Sequence, residues 1–204
     1  MRLGVALLGL LFGSALVSSG LAAQVRHGSL SVNYVDAQDS QQLGTVFRAW
    51  DAAAIDLKRF GLPVPARVRI EASGNAAQFA GRTGEAAGIA AITRGATIYT
   101  QRLGALAARG TLPITIRHEA FHTAQPPGLP RWLAEGLART FSGESSRDPA
   151  GVTGLETLSE SALNAALEGR QPGKLAQAYV EATRRAAVKL KFGGWKRVFG
   201  KAGT

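Results

Sequence analysis

His118-Glu119-Ala120-Phe121-His122, followed by Pro130-Arg131-Trp132-Leu133-Ala134-Glu135-Gly136-Leu137-Ala138, is the stretch on which the reading of this chain turns. On a helix, residues four apart share a face, so His118 and His122 can aim both rings at one cation. Glu119 follows the first histidine and is rotated from it by about 100°, near enough to handle the proton of a bound water. A zinc ion held by such a pair lowers the pKa of its water toward about 7 and makes a nucleophile at neutral pH.

Two imidazoles do not complete a catalytic zinc site. Three protein ligands plus water are usual, and two histidines with a glutamate are one standard set. Glu135 lies thirteen residues beyond His122 and is the expected third ligand. Residues 130–141 read as its helix. Pro130 suits a first turn, and Leu133, Leu137 and Phe141 form an i, i+4, i+8 stripe for a core. Trp132, Glu135, Gly136 and Arg139 fall on another face. Trp132 is expected to wall the site, and Arg139 to be an exposed helix arginine or a partner for a nearby carboxylate. Gly136 weakens a helix by up to about 1 kcal/mol relative to Ala, which is explained if another backbone, the metal-bearing helix, comes close there. The connection 123–129 carries Pro126, Pro127 and Gly128 and is long enough to reverse the chain over the histidines.

Together, HEAFH and PRWLAEGLA resemble the gluzincin zinc metallopeptidases, specifically the compact peptidase MA-like group whose helices read H-E-x-x-H and W-L-x-E-G-x-A. The resemblance covers roughly residues 86–141 and, more loosely, the C-terminal helices. It implies a zincin-like α+β fold: a small twisted sheet, an active-site helix and a helical C-terminal half. It also implies one zinc ion on His118, His122 and Glu135, with Glu119 as general base in peptide hydrolysis. Such enzymes tend to carry a Tyr or His that stabilises the oxyanion. No histidine follows His122, so Tyr179 in AYVEA takes that place, with a packed helix residue as the alternative. The end of the pattern is matched by Phe192-Gly193-Gly194-Trp195, with one extra glycine. In this group an extended peptide commonly adds to a sheet edge above the metal, a role open to residues 96–101 or 88–93. The competing reading is an inactive pseudo-peptidase, the same zinc-binding fold serving as an envelope binding protein.

The start of the chain fits an export signal: Arg2, an apolar stretch from Leu3 to Val17, then small residues at 20–23. Residues 1–23 are therefore expected to be a signal peptide and 24–204 one domain, in the periplasm or secreted. An uncleaved anchor is the alternative, although the stretch is shorter than the ~20 residues a span prefers. The chain has no cysteine, which excludes disulfides and thiolate ligands. Its only histidines are His27, His118 and His122, and His27 is expected to be a flexible residue near the new N-terminus.

Net charge is +10, concentrated toward the end, where nine lysines and arginines from Arg170 onward face one acid, Glu181. This is either a solvated face or a means of attraction to an anionic envelope surface or an acidic substrate. With few aromatics among the charges, nucleic acid is not an expected partner.

The remaining periodicities predict strands at 29–35 and 66–72, a helix over 39–60 and a short helix or loop at 77–81. Strands 88–93 and 96–101 are expected to meet in a hairpin at Arg94-Gly95. The metal helix is expected at 114–123, a polar linker at 143–154, and further helices at 158–167, 175–190 and 195–199.

Overall fold

The computed structural model describes residues 23–86, 88–169 and 171–200. It is an α+β protein built on one mixed sheet of five strands: β1 (Ala23–His27), β2 (Leu30–Tyr34), β3 (Val68–Ala72), β4 (Ala91–Arg94) and β5 (Thr97–Thr100). Spatial order is β1-β2-β3-β5-β4. The three central strands run parallel, while β1 and β4 close the edges antiparallel to their neighbours. Alternation puts Leu30, Val32, Val68, Ile70 and Ile98 on the covered face, all fully buried.

Helix α1 (Leu43–Arg59) covers that face with Val46, Ala49, Trp50, Ala53 and Leu57, spaced for one helical stripe. A 3-10 turn over Ala37–Gln42 precedes it, so the predicted long helix begins as a tighter coil. Helix α2 (Ala76–Thr83) is capped by the Asn75 side chain on the Gln78 N–H. Beyond the sheet the chain is helical: α3 (Leu103–Ala108), α4 (Leu112–Ala124), α5 (Arg131–Ser142), α6 (Glu160–Glu168) and α7 (Pro172–Gly200). Helix α7 breaks at Gly194, whose φ of 62° is left-handed, so the segment starting at Trp195 is a separate short helix, as its sequence suggests.

That last segment is anchored by aromatic packing. Trp195 stacks on Phe60 with centroids 4.6 Å apart, and Phe121, Phe141 and Phe199 each lie within 6.3 Å of it. These rings lock α4, α5 and the chain end together, each pair contributing about 0.5–1.5 kcal/mol beyond area burial. Arg117 adds a polar tie, donating to Asp56 of α1 at 2.8 Å and to the Phe141 carbonyl at 2.9 Å.

Two expectations are corrected here. His27 is not a free end: it lies in β1, hydrogen-bonds Asp51 at 2.8 Å and stacks on Phe47. Strand β1 itself escapes the pattern because its exposed and half-buried residues make no apolar run. Residues 96–101 are not an edge, since β5 lies between β3 and β4; the edges are β1 and β4, and β4 is the one beside the metal-bearing helix. The expected leader lies outside the described residues except for Ala23, which pairs with Tyr34 in β1.

Candidate metal centre

His118 and His122 sit one turn apart on α4, and Glu135 reaches them from α5. Among the described residues these three form a group able to hold a metal ion. The connection between the two helices turns at Gly128, with a left-handed φ of 79°. Helix α5 then starts against α6, whose Asn164 side chain accepts from the Trp132 N–H at 2.8 Å and satisfies one of the unpaired first-turn amides.

The three donor atoms converge. The two Nε2 atoms are 3.1 Å apart, and Glu135 Oε2 lies 3.4 Å from His118 Nε2 and 3.7 Å from His122 Nε2. A tetrahedral zinc with bonds of about 2.0–2.1 Å requires ligand–ligand edges of about 3.3–3.4 Å, the middle of this range. The donor set of two imidazoles and one carboxylate suits zinc as well.

The far sides of both rings are fixed. His118 Nδ1 bonds Glu144 Oε2 at 3.1 Å, and His122 Nδ1 bonds Gln125 Oε1 at 2.8 Å. Both partners are acceptors, so each ring keeps a proton on Nδ1 and turns Nε2 toward the shared point, as metal-ligating histidines do. Glu144 is held by Arg139, which donates to it at 2.8 Å, to Thr183 at 2.9 Å and to Asp148. Arg139 is therefore no surface arginine: it is 9 % exposed and is the hub of the shell behind His118.

Glu119 is 5 % exposed, and its Oε2 accepts a 2.7 Å bond from the Thr93 hydroxyl on β4. The edge strand thus orients the carboxylate expected to move the proton. Tyr179 of α7 faces the same space. With Glu119 and His118 it lines two adjoining cavities of about 490 and 420 Å3, the two arms of a cleft. One arm runs along β4 to Arg94 and Arg131; the other reaches Arg109 and Arg147.

Burial alone would lower the pKa of His118, but its hydrogen bonds to Glu135 and Glu144 outweigh burial and push it up to about 10. For Glu135 burial acts upward, and the bonds from His118 and His122 overcome it, holding the carboxyl far below its usual range. Glu144 is likewise depressed, its burial overridden by the bond with His118. Tyr179 is pushed up to about 12 by burial and then by the charge of Glu135, with Arg131 opposing, so it stays a neutral phenol.

His118, Glu119, His122, Glu135 and Tyr179, all singled out in the sequence, come together around one cleft. Two assignments of neighbours are corrected. A Cβ on Gly136 would lie 2.2 Å from the Ala182 carbonyl oxygen and 2.8 Å from Ala186 Cβ, so the backbone that needs this glycine is α7, not the metal helix. Trp132 does not wall the cleft; it is buried on the other side of α5, with Lys189 of α7 5.4 Å over its ring. Thr93, Gln125, Glu144 and Arg131 were not foreseen. Gln125 carried a signal, three residues after His122 at the end of the helix; Glu144, in a stretch that reads as polar linker, carried none.

The chain matches no protein-family model, no curated protein and no solved structure.

Proposed function

We propose that the protein is a zinc-dependent metallopeptidase of the gluzincin kind with a zincin-like fold, exported to the periplasm or secreted. The observation that carries this reading is the convergence of three donor atoms at zinc-ligand spacing, with both histidines tied back through Nδ1 and a buried glutamate beside them. A zinc ion on His118, His122 and Glu135 would supply Lewis acidity, acidifying water and polarising a carbonyl.

The remaining roles belong to side chains of the cleft. Glu119 accepts the proton of the attacking water and hands it to the leaving amine, with Thr93 fixing the carboxylate orientation. Tyr179, neutral at physiological pH, donates its phenolic proton in a hydrogen bond to the developing oxyanion, and Arg131 beside it adds positive charge. The substrate is a peptide that extends along the free edge of β4, where alternate backbone groups are unpaired. Support for export comes from the charged, then apolar, then small-residue start of the chain.

Hydrolysis of a mixed peptide library, with and without a zinc chelator, tests the proposal directly. Cleavage by the unaltered protein, abolished by chelator and by Glu119→Gln, is the expected result. Turnover retained in Glu119→Gln would overturn the assigned mechanism. Zinc bound without any cleavage would replace the enzyme with a zinc-containing binding protein.

A further inference from the structure

Helix α7 presents two large apolar side chains to solvent one turn apart, Val188 at 55 % exposure and Phe192 at 75 %. They form one wall of a groove of about 530 Å3, whose floor includes Leu129 and Leu133, at the entry to and on α5, and Val198. The two side chains and the apolar groove beside them make one continuous patch, and such patches mark interaction sites.

The charge around the groove selects that occupant. Residues 184–197 hold six lysines and arginines and no acid. Arg184 and Arg185 turn to Glu156 and Glu181. Lys191, Lys196 and Arg197 are exposed and, among the described residues, have no carboxylate partner. A second copy of the chain is disfavoured, because two patches of the same sign would meet in a molecule of net charge +10. An aromatic and an aliphatic tip beside a groove lined by Lys189 and Arg197 suits an anionic phospholipid surface, where the tips enter the acyl boundary and the cations stay among headgroup phosphates. No helix of the described residues is long and apolar enough to cross a membrane.

We infer that the Val188–Phe192 face of α7 is a docking surface for an anionic phospholipid bilayer. The groove is bordered by Gly128, Leu129 and Pro130, so the connection between the two site helices lies at the same surface. The inference does not depend on zinc or on hydrolysis.

Cosedimentation of the full chain with phosphatidylcholine vesicles, with and without phosphatidylglycerol, tests it. Two variants at exposed positions accompany it, Phe192→Ser and the pair Lys191→Glu with Arg197→Glu, each checked for an unchanged far-ultraviolet circular dichroism spectrum. Binding should require phosphatidylglycerol. It should weaken roughly tenfold in Phe192→Ser and by roughly fivefold for each basic side chain lost. Binding indifferent to phosphatidylglycerol, or absent, overturns the inference. So does binding by both variants as tight as that of the unaltered chain, which would assign it to another segment. Loss in the charge variant alone would refute insertion of Phe192.

Discussion

Replacing Gly136 by alanine sets two effects of opposite sign against each other. On propensity alone the change stabilises α5 by up to about 1 kcal/mol. The structure reverses that sign. The new methyl would lie 2.2 Å from the Ala182 carbonyl oxygen, 2.7 Å from its carbon and 2.8 Å from Ala186 Cβ. Ordinary contact needs roughly 1 Å more, and the obstacle is helix backbone, which cannot rotate away as a side chain can. Helices α5 and α7 must separate or bend, and over-packing of this kind destabilises by about 1–3 kcal/mol, occasionally more. Offset by the propensity gain, and taken toward the upper end because the obstacle is rigid, the net expectation is a loss of about 1–2 kcal/mol. In a domain of this size that lowers the melting temperature by about 2–8 °C. Urea melts followed by circular dichroism would measure it, with the midpoint falling at constant slope. Because Glu135 adjoins the substituted residue and Tyr179 lies one turn before Ala182, zinc affinity should fall as well. A variant as stable as the parent, or more so, would refute the packing assigned to α5 and α7.

Other perturbations probe the shell and its protons. Glu144→Gln keeps the shape but removes the charged acceptor behind His118, and zinc affinity, measured by competition with a chelating dye, should drop about 10–100-fold. Arg139→Met leaves Glu144 and Asp148 without their shared cation, and urea denaturation should show a loss of about 3–5 kcal/mol. In protein stripped of metal, the pH dependence of stability has two limbs. The raised His118 pKa contributes stability that is whole below about 6.5 and is lost as pH rises toward about 10. The depressed Glu135 pKa contributes stability present above about 4.5 that is lost as pH falls through its native value. Denaturation midpoints across pH should therefore fall on both sides of a plateau. Zinc bound as proposed would displace the His118 proton, so its apparent affinity should rise about tenfold per pH unit above neutrality, read by the same competition assay.

What could be read in the sequence was what repeats locally. The His118–His122 spacing, the Glu135 helix with its Leu133, Leu137 and Phe141 stripe, and the alternation in β2 and β3 each express a period of the backbone, and all are present. What could not be read depends on contacts distant in sequence. Glu144 stands in a Gly- and Ser-rich stretch and gains its role only because the fold returns it to the ring of His118, far back along the chain, where Arg139 holds it. Gly136 advertised a close approach, but its partner on α7 is some 46 residues away along the chain and no local period identifies it. Strand β1 and His27 were obscured by the apolar leader pattern before them, since a half-exposed edge strand has too few apolar residues to announce itself. The edge role of β4 follows from strand order, which the sequence of a hairpin leaves open.

Whether His118, His122 and Glu135 hold one zinc ion is read from zinc per mole of protein, measured after equilibration with zinc and exhaustive dialysis, for the unaltered chain, Glu119→Gln and Glu135→Ala. About one zinc is expected in the first two and loss from the third, since removing one of three proposed ligands would open the site while removing the proposed base would leave it intact. A folded, unaltered protein that retains no zinc, or an undiminished zinc content in Glu135→Ala, would contradict the proposed site.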